Sequence, residues 1–212
     1  MSQQARQFLE TYRHYLVPEG PQSSEAEAAA ISIVDRYTEP WRFHHVVPHL
    51  GMMGVFLSDN IEKIKNPRRV FLATIGHDAV YVPQLFGGVN EELSAQLFVA
   101  TMSPFHEAQI IADAAGDIRA TVDHDLGDGD SDRAYFLDAD MLIVGAEEEV
   151  FDAYDANIGS EFSFVPVDRY TEGRKSVLKS FNERQIFITP EAVDLYEDQA
   201  HANIERAIKR LN

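Results

Sequence analysis

"NPRRVFLATIGHDAVY", residues Asn66 to Tyr81, decides the class of fold: it reads as a buried helix ending near Gly76–Asp78. The flanking sequence repeats that pattern in both directions. Upstream, "HHVVPHLGMMGVFL" (His44–Leu57) is apolar enough to be buried, and Pro48 makes it a kinked or late-starting helix. Further upstream, "SSEAEAAAISIVDRY" (Ser23–Tyr37) has serines as N-caps, early glutamates and an alanine-rich body. "QQARQFLETYRHYL" (Gln3–Leu16) places Phe8, Leu9, Tyr12, Tyr15 and Leu16 near one helical face. Downstream, "NEELSAQLFVATM" (Asn90–Met102) has Asn90 as a cap and two glutamates in its first turn. "SPFHEAQIIADAAGDIRATVDH" (Ser103–His124) opens with the Ser-Pro pairing of a helix start. "SDRAYFLDADMLIVG" (Ser131–Gly145) is a short apolar element closed by glycine. "EEEVFDAYDANIGSEF" (Glu147–Phe162) and "DRYTEGRKSVLKSFNER" (Asp168–Arg184) read as two more helices. "TPEAVDLYEDQAHANIERAIKRLN" (Thr189–Asn212) is a long final one, with Thr189 as cap and Pro190 in the first turn. Only "RQIFIT" (Arg184–Thr189) is strand-like. The expectation is an all-α single domain over residues 1–212.

Composition narrows the functions available. The chain has 212 residues, 45% hydrophobic and 25% charged, as an ordinary globular protein has. It contains no cysteine, which removes disulfides, zinc-thiolate sites and thiol nucleophiles. Any metal must therefore sit on histidine or oxygen ligands. Eighteen basic residues against 35 acidic ones give a net charge of −17, which repels a nucleic-acid backbone, so no nucleic-acid polymer is expected as partner. No apolar run approaches a membrane span, and the N-terminus has no signal-peptide core, so a cytoplasmic protein with no membrane partner is expected.

Three separated points carry ionisable groups within apolar surroundings. "RFHHVVPH" (Arg42–His49) spends three of the eight histidines, and His45 and His49, four apart, would share a helical face. His77–Asp78 closes a buried stretch, and Asp138 and Asp140 interrupt "FLDADMLIVG". A buried carboxylate costs several kcal/mol unless it is paired or bound to a cation. A lone histidine on an apolar helix is usually a hydrogen-bonded core residue, and a lone His-Asp is uninformative; the ordered conjunction is what carries weight. Nitrogen and oxygen ligation without sulfur suits a divalent ion such as Mn, Fe, Zn, Ni or Co, with Mg less favoured by imidazole. Asp138 and Asp140 stand about 200° apart on a helix, so both cannot face one ion. "DGDSDRAYFLDA" (Asp128–Ala139) matches a calcium loop at positions one, three and five, but has Arg133 and Ala139 where glycine and glutamate are needed, and reads better as a solvated acidic turn. No P-loop and no G-x-S-x-G stretch occurs, and "FGGVNEE" (Phe86–Glu92) is a flexible turn too short for a dinucleotide fingerprint.

This order of residues resembles the HD superfamily of metal-dependent phosphohydrolases, helical bundles with ligands in the order His…His-Asp…Asp. More narrowly it resembles a branch of predicted HD-type phosphohydrolases with a run Tyr-x-Glu-Pro-x-Arg-x-Tyr-His-Asn-x-x-His. Here that run is "YTEPWRFHHVVPH" (Tyr37–His49), followed by "GHDAVY", "NEELSA", "FLDADMLIVG", "VLKSF" and "AHANIERAI". The likeness extends from about Tyr37 to the end. It implies a metal-site core over about 37–145, with C-terminal helices over 146–212 packing on it. It implies His49, His77, Asp78 and Asp140 as ligands, Asp140 being preferred to Asp138 because it directly precedes the large apolar Met141. His45 matches the histidine that protonates the leaving oxygen in similar phosphodiesterases, so His45 and Asp78 are the expected catalytic residues. Two positions depart from the pattern: His44 replaces its tyrosine and Val46 its asparagine. Arg42, Arg174 and Lys175 are candidate phosphate donors, and His124, in "RATVDHD", is a candidate beside the site. The implied function is hydrolysis of a small phosphorylated molecule, a nucleotide or phosphate ester, with a non-catalytic metal- or nucleotide-binding regulator as the alternative. A bundle with apolar terminal helices could form a homodimer.

Overall fold

The computed structural model describes residues 2–85 and 87–211, and among them the regular structure is entirely helical. In chain order the helices are α1 (Gln3–Leu16), α2 (Ser23–Val34), α3 (Val47–Asp59), α4 (Pro67–Gly76), α5 (Val89–Met102), α6 (Ala108–Ala120), α7 (Ser131–Met141), α8 (Glu148–Glu161), α9 (Val167–Asn182) and α10 (Pro190–Arg210). Short 3₁₀ turns cover Asp35–Thr38, Ile61–Lys63 and Leu142–Gly145. The all-α expectation holds. Backbone contacts group the chain into two compact units, Met1–Ala139 and Asp140–Asn212, with the division inside α7.

The first unit is organised around α4. Every residue from Arg69 to Gly76 is buried, and α1, α2, α3, α5 and α6 all pack against this helix. Tyr12 and Tyr15 of α1 stack on Phe71 at 5.0 and 4.3 Å. A Cβ at Gly76 would come within 2.6 Å of the Ile118 side chain and 3.0 Å of the Phe98 ring, so a side chain there would require both to shift. The charge on α4 is matched inside the unit. Arg69 donates twice to Asp117, at 2.7 Å each, and once to Asp130, at 2.7 Å, while Arg133 also reaches Asp117 at 2.9 Å. Asp132 accepts the backbone N–H groups of Lys65 and Asn66 at 2.8 and 2.7 Å, just before α4 begins. The acidic stretch read as a solvated turn is thus an anchor: Asp130 is paired with α4 and Asp132 holds the two residues just before it.

In the second unit α10 packs against α8, α9 and the Leu142–Gly145 turn. Buried Asn203 donates to the carbonyls of Val144 and Ala146 at 3.0 and 2.7 Å, closing that turn. "RQIFIT" forms no strand. The Glu197 carboxylate accepts the N–H groups of Ile186 and Phe187 at 2.8 and 2.9 Å, taking donors that a neighbouring strand would need.

Several helix starts differ from expectation. α2 is preceded by Gln22 with no side-chain cap, and its serines lie inside the first turn. α5 follows Gly88, whose φ of +79° suits glycine, and Asn90 lies within the helix rather than capping it. α6 begins only at Ala108, because Ser103–Pro104 closes α5 instead of opening α6. Thr189 caps α10 as expected, accepting from the Ala192 N–H. Within "FGGVNEE", Phe86 lies outside the described residues.

Candidate metal centre

Pro48 lacks an N–H and has a fixed φ, so it suits a helix start; α3 begins at Val47 and carries His49 in its first turn. His45 therefore precedes the helix, and the expected shared face with His49 does not form. His77 directly follows α4, its N–H still bonded to the Ala73 carbonyl at 2.9 Å. The Nδ1 of His77 lies 2.8 Å from the Thr74 carbonyl oxygen. A carbonyl only accepts, so the proton sits on Nδ1 and Nε2 presents its lone pair.

That Nε2 is 3.3 Å from the Nε2 of His49 and 3.0 Å from Oδ2 of Asp78. One ligand atom each from His49, His77 and Asp78 all lie within 4.8 Å of one another, with both histidines buried. Two nitrogens bound to one ion at roughly 2.0–2.1 Å stand roughly 3.0–3.5 Å apart, so the observed spacing fits shared ligation. The donor set of two imidazoles and a carboxylate suits Mn, Fe, Co, Ni or Zn better than Mg.

His45 reaches the same centre by another route. Its ring stacks on Tyr81, with centroids 3.8 Å apart, and its Nε2 lies 3.9 Å from Oδ2 of Asp78. His44, read from sequence only as a departure, has its ring 4.9 Å from that of His49 and 4.8 Å from that of His45. All three histidines of "RFHHVVPH" therefore join His77 in one imidazole cluster. Of the α7 aspartates, Asp138 is buried and belongs to the first unit, as the triad does; Asp140 is half-buried and opens the second unit.

Two of the candidate phosphate donors are held by other groups. The Arg42 guanidinium is buried and donates to Glu39 at 3.0 Å and to the Asp78 carbonyl at 2.7 Å. Arg174, buried in the second unit, pairs with Asp155 at 2.9 Å and lies 5.2 Å from the Tyr154 ring centroid. Lys175 follows it on α9, half-buried. His124 lies in the turn after α6 with a φ of +48°, its N–H bonded to the Ala120 carbonyl at 3.2 Å. Glu92 pairs with Arg119 at 2.5 Å, and that hydrogen bond holds its carboxyl well below the usual range, at about 2.

Sequence reading missed the residues that hold the segment after His77. The Tyr37 hydroxyl accepts the Asp78 N–H and donates to the Ile75 carbonyl, both at 3.0 Å. Ser94 and Asn90 of α5 bond both backbone groups of Val80 and of Val82. The available signal was two polar residues four apart on α5, both buried. No family model, curated protein or solved structure matches this chain.

Proposed function

We propose that the protein is a metal-dependent phosphohydrolase of the HD type, acting on a small phosphorylated substrate, a nucleotide or phosphate ester. The observation that carries this reading is the convergence of ligand atoms from His49, in the first turn of α3, and from His77 and Asp78, just after α4. The resemblance to the HD superfamily supplies the reaction class, and it implies a fourth ligand beyond these three: Asp140, or Asp138 as the alternative. A divalent ion held there would supply positive charge for phosphoryl oxygens and a water acidified toward neutral pH. In hydrolysis a water oxygen bonds to phosphorus as the bond to the leaving oxygen breaks, and that oxygen takes up a proton. His45 is suited to give it, since imidazole titrates near neutrality and this ring is held against Tyr81 beside Asp78. Trp41 and Phe43, both nearly half exposed, flank Arg42 on the loop that carries His45. Their flat apolar surface favours a substrate bearing a ring, as a nucleotide does, over a bare sugar phosphate.

Elemental analysis of the purified protein followed by a phosphoester panel in the bound metal tests the reading. Metal is expected in the wild type and lost in His49→Ala and Asp78→Asn; full occupancy without turnover of any phosphomonoester or diester would overturn the hydrolase. Asp140→Asn is expected to lose metal, whereas its loss from Asp138→Asn alone would reassign the fourth ligand. The second reading, a metal- or nucleotide-binding regulator, is favoured by His44 and Val46, which alter the surroundings of the proton donor. Tight nucleotide binding without turnover, indifferent to His45→Ala, would select it.

A further inference from the structure

We infer that Arg42 is a positioning residue of the metal centre, fixing Asp78 and His45 relative to one another through their backbone carbonyls. The inference rests on the metal-centre reading above and gives Arg42 a different duty from phosphate binding.

The Arg42 side chain has no exposed surface. Its Nη1 donates to the Asp78 carbonyl at 2.7 Å and to the His45 carbonyl at 3.4 Å. Its Nη2 reaches the Ala79 carbonyl at 3.3 Å, and its Nε reaches Glu39 at 3.0 Å. One planar fork thus joins the loop bearing the proton donor to the segment bearing the carboxylate ligand. Glu39 balances the charge and also faces Arg36 at 3.7 Å; Arg36 Nε donates to the Ala79 carbonyl. The Arg42 guanidinium carbon sits 5.3 Å from the centroid of Tyr37, whose hydroxyl holds the Asp78 N–H.

The segment this fork grips has neither helix nor strand to steady it. From Asp78 to Val82 every residue instead has a backbone group bonded to a side chain: Tyr37 and Arg42 at Asp78, both arginines at Ala79, Ser94 at Val80, Trp41 at Tyr81 and Asn90 at Val82. Arg42 is the member that also reaches His45. Lysine cannot replace it, because a single ammonium lacks the planar fork that meets three carbonyls and a carboxylate at once. Supporting groups behind metal ligands typically change metal affinity by about 10–100-fold.

The experiment uses the full chain, stripped of metal by chelation, with Co²⁺ as probe. Affinity is read by competition with a chelator, ligand geometry by visible absorption, and fold by circular dichroism and melting of the metal-free protein. Arg42→Lys is expected to fold, to bind Co²⁺ about 10–100-fold more weakly and to shift the absorption bands. Unchanged Co²⁺ affinity and spectrum would overturn the inference, even with a lowered melting temperature, since a merely structural arginine would move only the latter. If Arg42→Lys does not fold, Tyr37→Phe is measured identically; weaker binding is expected, and a wild-type affinity and spectrum would overturn the inference. A wild type that binds no Co²⁺ would overturn the metal centre and this inference together. A wild type that binds Co²⁺ but hydrolyses nothing, with the variant's affinity and spectrum altered, would overturn only the hydrolase and support the positioning role.

Discussion

At the scale of single residues, the candidate centre separates histidines by the atom each offers. His77 is committed at Nδ1 to a carbonyl, so its Nε2 is the atom it offers to the candidate centre; His45 has its ring stacked and its Nε2 near a carboxylate. Replacing His45 with glutamine should therefore lower kcat by about 10²–10⁴-fold with metal content unchanged, as loss of a general acid does. Parallel kinetics and elemental analysis check both halves. A histidine outside the centre sets a separate pH response. Burial and the neighbouring Arg68 charge push His106 down to about 4, and its Nε2 is buried without a hydrogen-bond partner among the described residues. The unfolded chain then binds more protons than the folded one between about pH 6.5 and 4, so stability falls as pH drops through that window. His106→Gln should flatten the slope of urea-unfolding stability against pH there. His49, His77 and Asp78 were legible in the sequence because apolar flanks and order marked them. The duty of Arg42 was not, because an arginine beside histidines looks the same whether it faces a phosphate or three backbone oxygens.

At the scale of elements, α4 depends on a buried charge network as well as on apolar packing. Asp117 is wholly buried and serves both Arg69 and Arg133. Asp117→Asn should cost about 3–5 kcal/mol, measured by urea unfolding, because it removes the buried countercharge shared by two guanidiniums and leaves Arg69 only the partly exposed Asp130. The segment from Asp78 to Val82 should behave unlike an ordinary loop. The amides of Asp78, Val80 and Val82 are bonded to Tyr37, Ser94 and Asn90, so hydrogen exchange should find them protected at a level close to the adjoining helices. Fast exchange at all three would contradict that rigidity. Helices were readable from periodicity, whereas their starts were less so. Ser103–Pro104 has the chemistry of a helix start, yet the backbone of α5 runs on to it, and the chain needs four more residues to begin α6. "RQIFIT" has β-favouring side chains, but Glu197, ten residues on, satisfies its amides. Neither outcome is visible in local propensity: the Ser103 N–H continues the α5 ladder to the Val99 carbonyl, and two amides of "RQIFIT" are taken by a side chain of α10.

At the scale of the whole molecule, the all-α class was legible because nearly every segment favoured helix independently. Backbone contacts divide the chain inside α7, an element that reads as uninterrupted in the sequence. The net charge of −17 also acts at this scale. Its self-repulsion opposes compactness and is screened by salt, so melting temperature should rise as ionic strength increases from about 0.01 to 0.15 M. A flat or falling curve would show that local ion pairs outweigh the net field. One last consequence concerns light. Trp41 is the only tryptophan in the chain, about half exposed, with its indole N–H on the Tyr81 carbonyl and the Tyr81 ring against His45. The protein therefore carries a lone indole fluorophore at the margin of its imidazole cluster, and its emission colour and quenching can be used to test for metal or substrate arrival without any added label.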